Sequence, residues 1–154
     1  MIDPELRDLY QEVILDHGRN PRHFGPMDGA SHEAHGHNPL CGDRVHLYLK
    51  VDDAGRIADV AFEGKGCAIS MASASMMTDL ILGKEVDEAK TLADAFYHLA
   101  KGEPAQSNVS NDDLERLEVM SGVSQFPMRV KCATLAWHTF ESAMDETAKE
   151  ATSE

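Results

Sequence analysis

At 154 residues the chain has the length of one domain, residues 1–154, and enough apolar content, 42%, to bury a core rather than remain disordered. Its formal charge of −13 excludes nucleic acid and anionic membrane surfaces as partners. No run approaches the ~20 apolar residues that span a bilayer, and Asp3, Glu5 and Asp8 leave the N-terminus without a signal core, so the expected compartment is the cytoplasm.

Asp3 as N-cap and Pro4 at the first helical position predict a helix start. Leu6, Leu9, Tyr10, Val13 and Ile14 then recur at helical spacing, and Gly18 is placed as a left-handed cap after His17. From Arg19 to Leu40 the pattern stops at Pro21, Gly25, Pro26, Gly29, Gly36 and Pro39. Five of the eight histidines lie between His17 and His37, densest in His32–His37. His35 and His37 are candidate metal ligands, but a solvated loop without a role is the favoured reading of that cluster.

Val45, Leu47, Leu49 and Val51 alternate with polar residues, Asp52–Gly55 is a turn, and Val60 and Phe62 mark a returning strand. Residues 44–63 therefore form an antiparallel hairpin with one buried face. Because the outer ends of a hairpin lie side by side, Cys41 before it and Cys67 after it become neighbours. Residues 67–82 read as a helix ended at Gly83, whose positive N-terminus favours a Cys67 thiolate. Met71, Met76 and Met77 are core filler rather than copper ligands.

Leu92, Ala93, Phe96, Leu99 and Ala100 mark another helix, stopped by Gly102 and Pro104. Gln106–Ser110 is a polar linker. Asn111–Asp113 caps a short helix with Leu114, Leu117, Val119 and Met120, ended by Gly122. Pro127 opens the last helix, with Met128, Cys132, Leu135, Phe140 and Ala143 on its core face. The acidic tail from Asp145 to Glu154 is expected to fray.

Cys41, Cys67 and Cys132 are the only cysteines, an odd number in a chain expected to stay reduced, so a disulfide framework is excluded. All three fall at element ends. Asp43, two positions after Cys41, points the same way on extended backbone. Three thiolates and a carboxylate make a full tetrahedral zinc shell. Buried structural thiols and a cysteine nucleophile with a histidine base are the competing readings. No spacing pairs a particular histidine with a particular cysteine.

Several stretches carry a resemblance: Tyr10–His17, Asn20-Pro21-Arg22, Asn38-Pro39-Leu40-Cys41-Gly42-Asp43, Gly64–Ser75 and Arg129–Trp137. In this order they resemble the IscU/NifU-like proteins of iron–sulfur cluster assembly, and within them the SufU type. The resemblance implies an α+β fold, a small antiparallel sheet of about three strands against about five helices, with a third strand from the region between Pro26 and His37. It implies zinc on Cys41, Asp43, Cys67 and Cys132, and a pyridoxal-phosphate cysteine desulfurase of the SufS type as partner. Downstream cluster-assembly proteins would follow. Cys41, displaced from zinc by a side chain of the docked desulfurase, would act as the catalytic sulfur acceptor. Two departures from the scaffold-type pattern favour this reading: a long Cys67–Cys132 interval with an added segment near 101–126, and Lys131 where scaffold members carry histidine, with no Leu-Pro-Pro-Val-Lys stretch. The alternative functions are a scaffold for a [2Fe–2S] cluster on the same ligands, and a purely structural zinc domain.

Overall fold

The computed structural model describes residues 4–39, 41–104, 109–145 and 150–152. Helix α1 spans Pro4–Arg19; its predicted cap, Asp3, and the side chains of Leu6 and Leu9 lie outside the described residues. Val13 and Ile14 pack on the core as the spacing predicts. Gly18 is not a left-handed cap: the helix runs through it, and it faces Ala68. The chain is then strapped to the next helix, with the Arg22 N–H donating to Ser75 Oγ at 2.8 Å and His17 Nδ1 bonded to the same hydroxyl at 2.7 Å.

The histidine-rich stretch corrects the loop reading: His32–Asn38 is strand β1, in the region expected to supply a third strand. Ala34, Gly36 and Asn38 alternate into the interior. Gly36 is required there, because Thr139 of the last helix occupies the place of a Cβ. β2 spans Asp43–Val51 and β3 Ile57–Lys65. β1 pairs antiparallel with β2 from His32↔Leu49 to Asn38↔Asp43, and β2 with β3 from Arg44↔Lys65. The predicted hairpin is thus present, and Val45, Leu47, Leu49, Val60 and Phe62 line its buried face.

α2 (Ala68–Ile81), almost wholly buried, and α5 (Pro127–Met144), buried mainly from Cys132 onward, carry the core with the sheet. Trp137, Phe140, Met77 and Phe62 fill the space between them. Met71, Met76 and Met77 are buried in that core. α3 (Val86–Ala100) starts a full turn and more before Leu92, with Asp87 and Glu88 favourably placed in its first turn. α4 (Asn111–Glu118) is capped by Ser110, whose Oγ accepts from the Asp113 N–H, rather than by Asn111. Val119 and buried Met120 follow that helix, and Ser121–Gln125 form a 3₁₀ turn running past Gly122. Met128, expected on the core face of α5, is exposed, because the first turn of that helix projects beyond the core.

Where the acidic tail is expected to fray, Glu150–Thr152 form β4, parallel to β1 from His35↔Glu150 to His37↔Thr152. The sheet order is β3-β2-β1-β4. Among the described residues no helix is long and apolar enough to cross a membrane.

Two half-buried histidines give this fold a pH dependence. Burial, then the Arg22 charge, lowers the pKa of His17; burial, then the Lys101 charge, lowers that of His138. Between those lowered values and the ordinary value of about 6.5, the unfolded chain binds more protons than the folded chain. Stability contributed by their neutral forms is therefore present above pH ~6.5 and lost as pH falls below it. A His17→Asn/His138→Gln variant is expected to lose less stability than wild type between pH ~7.5 and ~5.5 in urea titrations. Equal losses in the two proteins would remove both histidines from the account.

Candidate metal centre

The turn between β1 and β2 carries the first thiol. Asn38 and Asp43 close it as the last register pair, and the N–H groups of Cys41 and Gly42 both donate to the Asn38 carbonyl, at 3.3 and 2.8 Å. Gly42 has φ of 73°, a conformation that glycine adopts without steric penalty and that lets the chain reverse within this turn. Cys41 is left half-exposed, while Asp43, the first residue of β2, is fully buried.

β3 ends opposite the start of β2, so the hairpin brings Cys67 to this end of the sheet, where its contact is with Asp43 rather than with Cys41, the neighbour expected from the sequence. The Cys67 N–H donates to Asp43 Oδ1 at 2.9 Å, and Cys67 Sγ lies 4.0 Å from Oδ2. Cys67 is the N-cap of α2 and makes no capping bond with its side chain. Gly66 allows this approach: a Cβ there would run into the Asp43 carboxylate.

α5 brings the third thiol from far along the chain. Cys132 is fully buried, with Sγ 3.6 Å from Cys41 Sγ and 3.6 Å from Asn38 Nδ2. The Asn38 amide also donates to Asp43 Oδ2 at 3.4 Å. Burial, and then hydrogen bonds with Asp43, Cys67 and Cys41, push the Cys132 thiol well above the usual range. Without a cation the Cys132 thiol therefore keeps its proton. Arg129, one turn before Cys132, has its guanidinium held protonated by a bond to that sulfur, with the charges of Cys67, Cys132 and Cys41 adding to the effect.

The four predicted groups thus meet at one end of the sheet. Cys41, Asp43 and Cys132 offer ligand atoms all within 4.8 Å of one another, the one such group among the described residues, with Cys67 against the same carboxylate. Two thiolates on one tetrahedral zinc are about 3.8 Å apart when Zn–S is ~2.3 Å, so the Cys41–Cys132 separation matches. Donor set and spacing fit zinc; thiolates also suit an iron–sulfur cluster. His35 and His37 are not in this group. His35 stacks on His46 across the strands, ring centroids 3.9 Å apart, on the outer face of the sheet. Asn38 is the residue whose part sequence reasoning missed. Its one signal was a polar amide at an inward strand position, where a buried amide must find partners.

The family model for the NifU-like N terminal domain matches residues 9–133. A Streptococcus pyogenes serotype M1 protein described as "Iron-sulfur cluster assembly scaffold protein IscU" is 42% identical, over 94% of this chain and 87% of its own length. The "Zinc-dependent sulfurtransferase SufU" of Bacillus subtilis (strain 168) is also 42% identical, over 90% of this chain and 91% of its own. A crystal structure described as a putative iron–sulfur cluster assembly scaffold protein for the SUF system, from Fervidobacterium islandicum AW-1, superposes with a TM-score of 0.76 at 36% identity. It covers 90% of this chain, and 98% of that chain is matched.

Proposed function

From a chain that belongs to the NifU-like N-terminal domain family, and that gathers three thiols and a carboxylate at one end of its sheet, we propose a zinc-dependent sulfurtransferase. It takes persulfide sulfur from a pyridoxal-phosphate cysteine desulfurase and passes it on for iron–sulfur cluster assembly. The observation that carries this reading is how differently the thiols are held: Cys132 is fully buried, Cys67 is half-exposed but tied by its N–H to buried Asp43, and Cys41 is half-exposed on a glycine turn 3.6 Å from Cys132. One site thereby holds fixed donors and one that can leave.

Cys41, Asp43, Cys67 and Cys132 would hold the zinc ion, which when bound keeps the thiols deprotonated at neutral pH. Asp43 is positioned by the Cys67 N–H and the Asn38 amide, so this harder donor does not depend on Cys41 for its place. The Cys41 turn hangs from the Asn38 carbonyl, on a different element from the helix that holds Cys132. In the transfer step the Cys41 thiolate attacks the outer sulfur of the desulfurase persulfide. A new S–S bond forms on Cys41, the donor's S–S bond breaks, and the donor cysteine leaves as a thiolate. The exchange is redox-neutral and needs an accessible, deprotonated nucleophile.

The sulfurtransferase description of the Bacillus subtilis relative supports this function. The scaffold description of the equally similar Streptococcus pyogenes relative supports a second reading, assembly of a [2Fe–2S] cluster on the same ligands. Lys131 in the position before Cys132 favours the first. Anaerobic turnover of the desulfurase separates them. Zinc-loaded wild type is expected to stimulate turnover strongly and Cys41→Ala to abolish the stimulation. Weak stimulation, with iron and sulfide accumulating on the protein, would leave the scaffold reading instead.

A further inference from the structure

Asn38, the last residue of β1, is fully buried. Taking an amide out of water is costly unless it finds hydrogen-bond partners, and the partners of this one are candidate metal ligands. Its side-chain nitrogen lies 3.4 Å from Asp43 Oδ2 and 3.6 Å from Cys132 Sγ. Its backbone carbonyl accepts the N–H groups of Cys41 and Gly42. Separate groups of one residue thus meet three of the four proposed ligand residues, which come from the β1–β2 turn, the start of β2 and α5.

The two ends of an asparagine amide differ, one donating two hydrogens and the other only accepting. A metal-bound carboxylate and a metal-bound thiolate both accept, so the NH2 end faces them and has one hydrogen for each. Cys132 Sγ also accepts from the Arg129 guanidinium. Hydrogen bonds donated to a thiolate favour its charged form, and a thiolate stabilised in this way is a weaker nucleophile. The Asn38 amide therefore lowers the reactivity of the buried sulfur and ties it to the buried carboxylate across two elements.

We infer that Asn38 is a positioning residue, whose amide holds Asp43 and Cys132 on the proposed zinc ion as the pair that stays when Cys41 leaves. Asp43 and Cys132 are the two fully buried members of the site, and the amide bridges them. Asn38 reaches the Cys41 turn through its backbone carbonyl, a contact that a change of side chain leaves in place. The Cys67 N–H fixes Asp43 through its other oxygen, Oδ1, so the two supports of the carboxylate are separate. The inference rests on the zinc site and sulfur-acceptor function proposed above and adds the residue that sets which donors stay.

The test is zinc affinity, read by competition with a chromophoric chelator, together with the absorption spectrum of the cobalt(II)-substituted protein. Asn38→Leu keeps a side chain of similar size and removes both donors; Asn38→Ala, read the same way, decides the matter if leucine prevents folding. Loss of an outer-shell partner is expected to weaken zinc binding roughly 10–100-fold. The thiolate-to-cobalt charge-transfer band should move to longer wavelength, because a sulfur without its donor gives up charge more easily. Loss of packing alone would leave that band in place. In the Cys41→Ala background the same fold-loss is expected, since the amide serves the other ligands. Affinities within about twofold of wild type, an unmoved band, or a loss that disappears in Cys41→Ala would each overturn the inference, as would a wild type that takes up no zinc. A wild type that shows these responses and leaves desulfurase turnover unstimulated would support the positioning role and sink the sulfur-acceptor function alone.

Discussion

Stripping zinc from the loaded protein with a chelator is expected to lower its melting temperature by about 8–16 °C. A ligand present at a thousandfold its dissociation constant contributes roughly 4 kcal/mol to the folded state, and each kcal/mol moves a chain of this length by about 2–4 °C. The physical source is the cluster itself. Cys132 is fully buried, its thiol pushed up by burial and by its neighbours, and Asp43 is fully buried beside it. Charge on buried groups is costly without a cation beside it. The measurement is a thermal melt followed by circular dichroism, with and without chelator, and re-addition of zinc should restore the higher midpoint. Coincident melts would mean that the cluster binds no stabilising ion.

The second large effect is expected at Asp43. Asp43→Ala removes the acceptor of the Cys67 N–H, and an unpaired buried donor costs about 1–3 kcal/mol before any metal is considered. Loss of the carboxylate should also lower zinc affinity. Outer-shell partners alone are worth roughly 10–100-fold, so a direct donor is expected to exceed about 100-fold. Asp43→Asn separates the two contributions, since the amide oxygen can still accept from Cys67 while the charge is gone. Asparagine is therefore expected to restore most of the stability and little of the affinity. Unchanged zinc content and unchanged sulfur transfer in Asp43→Ala would remove this residue from the site.

What was legible in the sequence was local. Period-two alternation from Val45 to Val51 specifies a strand whatever surrounds it, and the hairpin argument then brings Cys67 to the end of the sheet that carries Cys41, where its bonded partner is Asp43, two positions on. The convergence of Cys132 was readable as chemistry, from the ligand types, but not as geometry. Its position depends on α5 packing across β1 and β2, a contact between segments 91 positions apart along the chain. β1 was obscured for a related reason. His32–Asn38 carries a glycine and three histidines where strands favour β-branched residues, and its inward positions are held by α5 rather than by intrinsic propensity. The exposed Met128 misled because helical periodicity shows which face a residue shares, and not where along the helix the core ends.

The distribution of ligands between near and far parts of the chain also bears on the order of folding. Cys41, Asp43 and Cys67 belong to one run of adjacent strands and turns, whose contacts are short in sequence and can close early. Cys132 arrives only when the last helix docks, after the longest loop in the site has been closed. A chain halted before α5 can present two thiolates and a carboxylate, but not the fourth donor. With the proposed zinc ion, high-affinity capture would therefore be coupled to the last tertiary contact, and a loaded site would be a molecular signature of a finished fold.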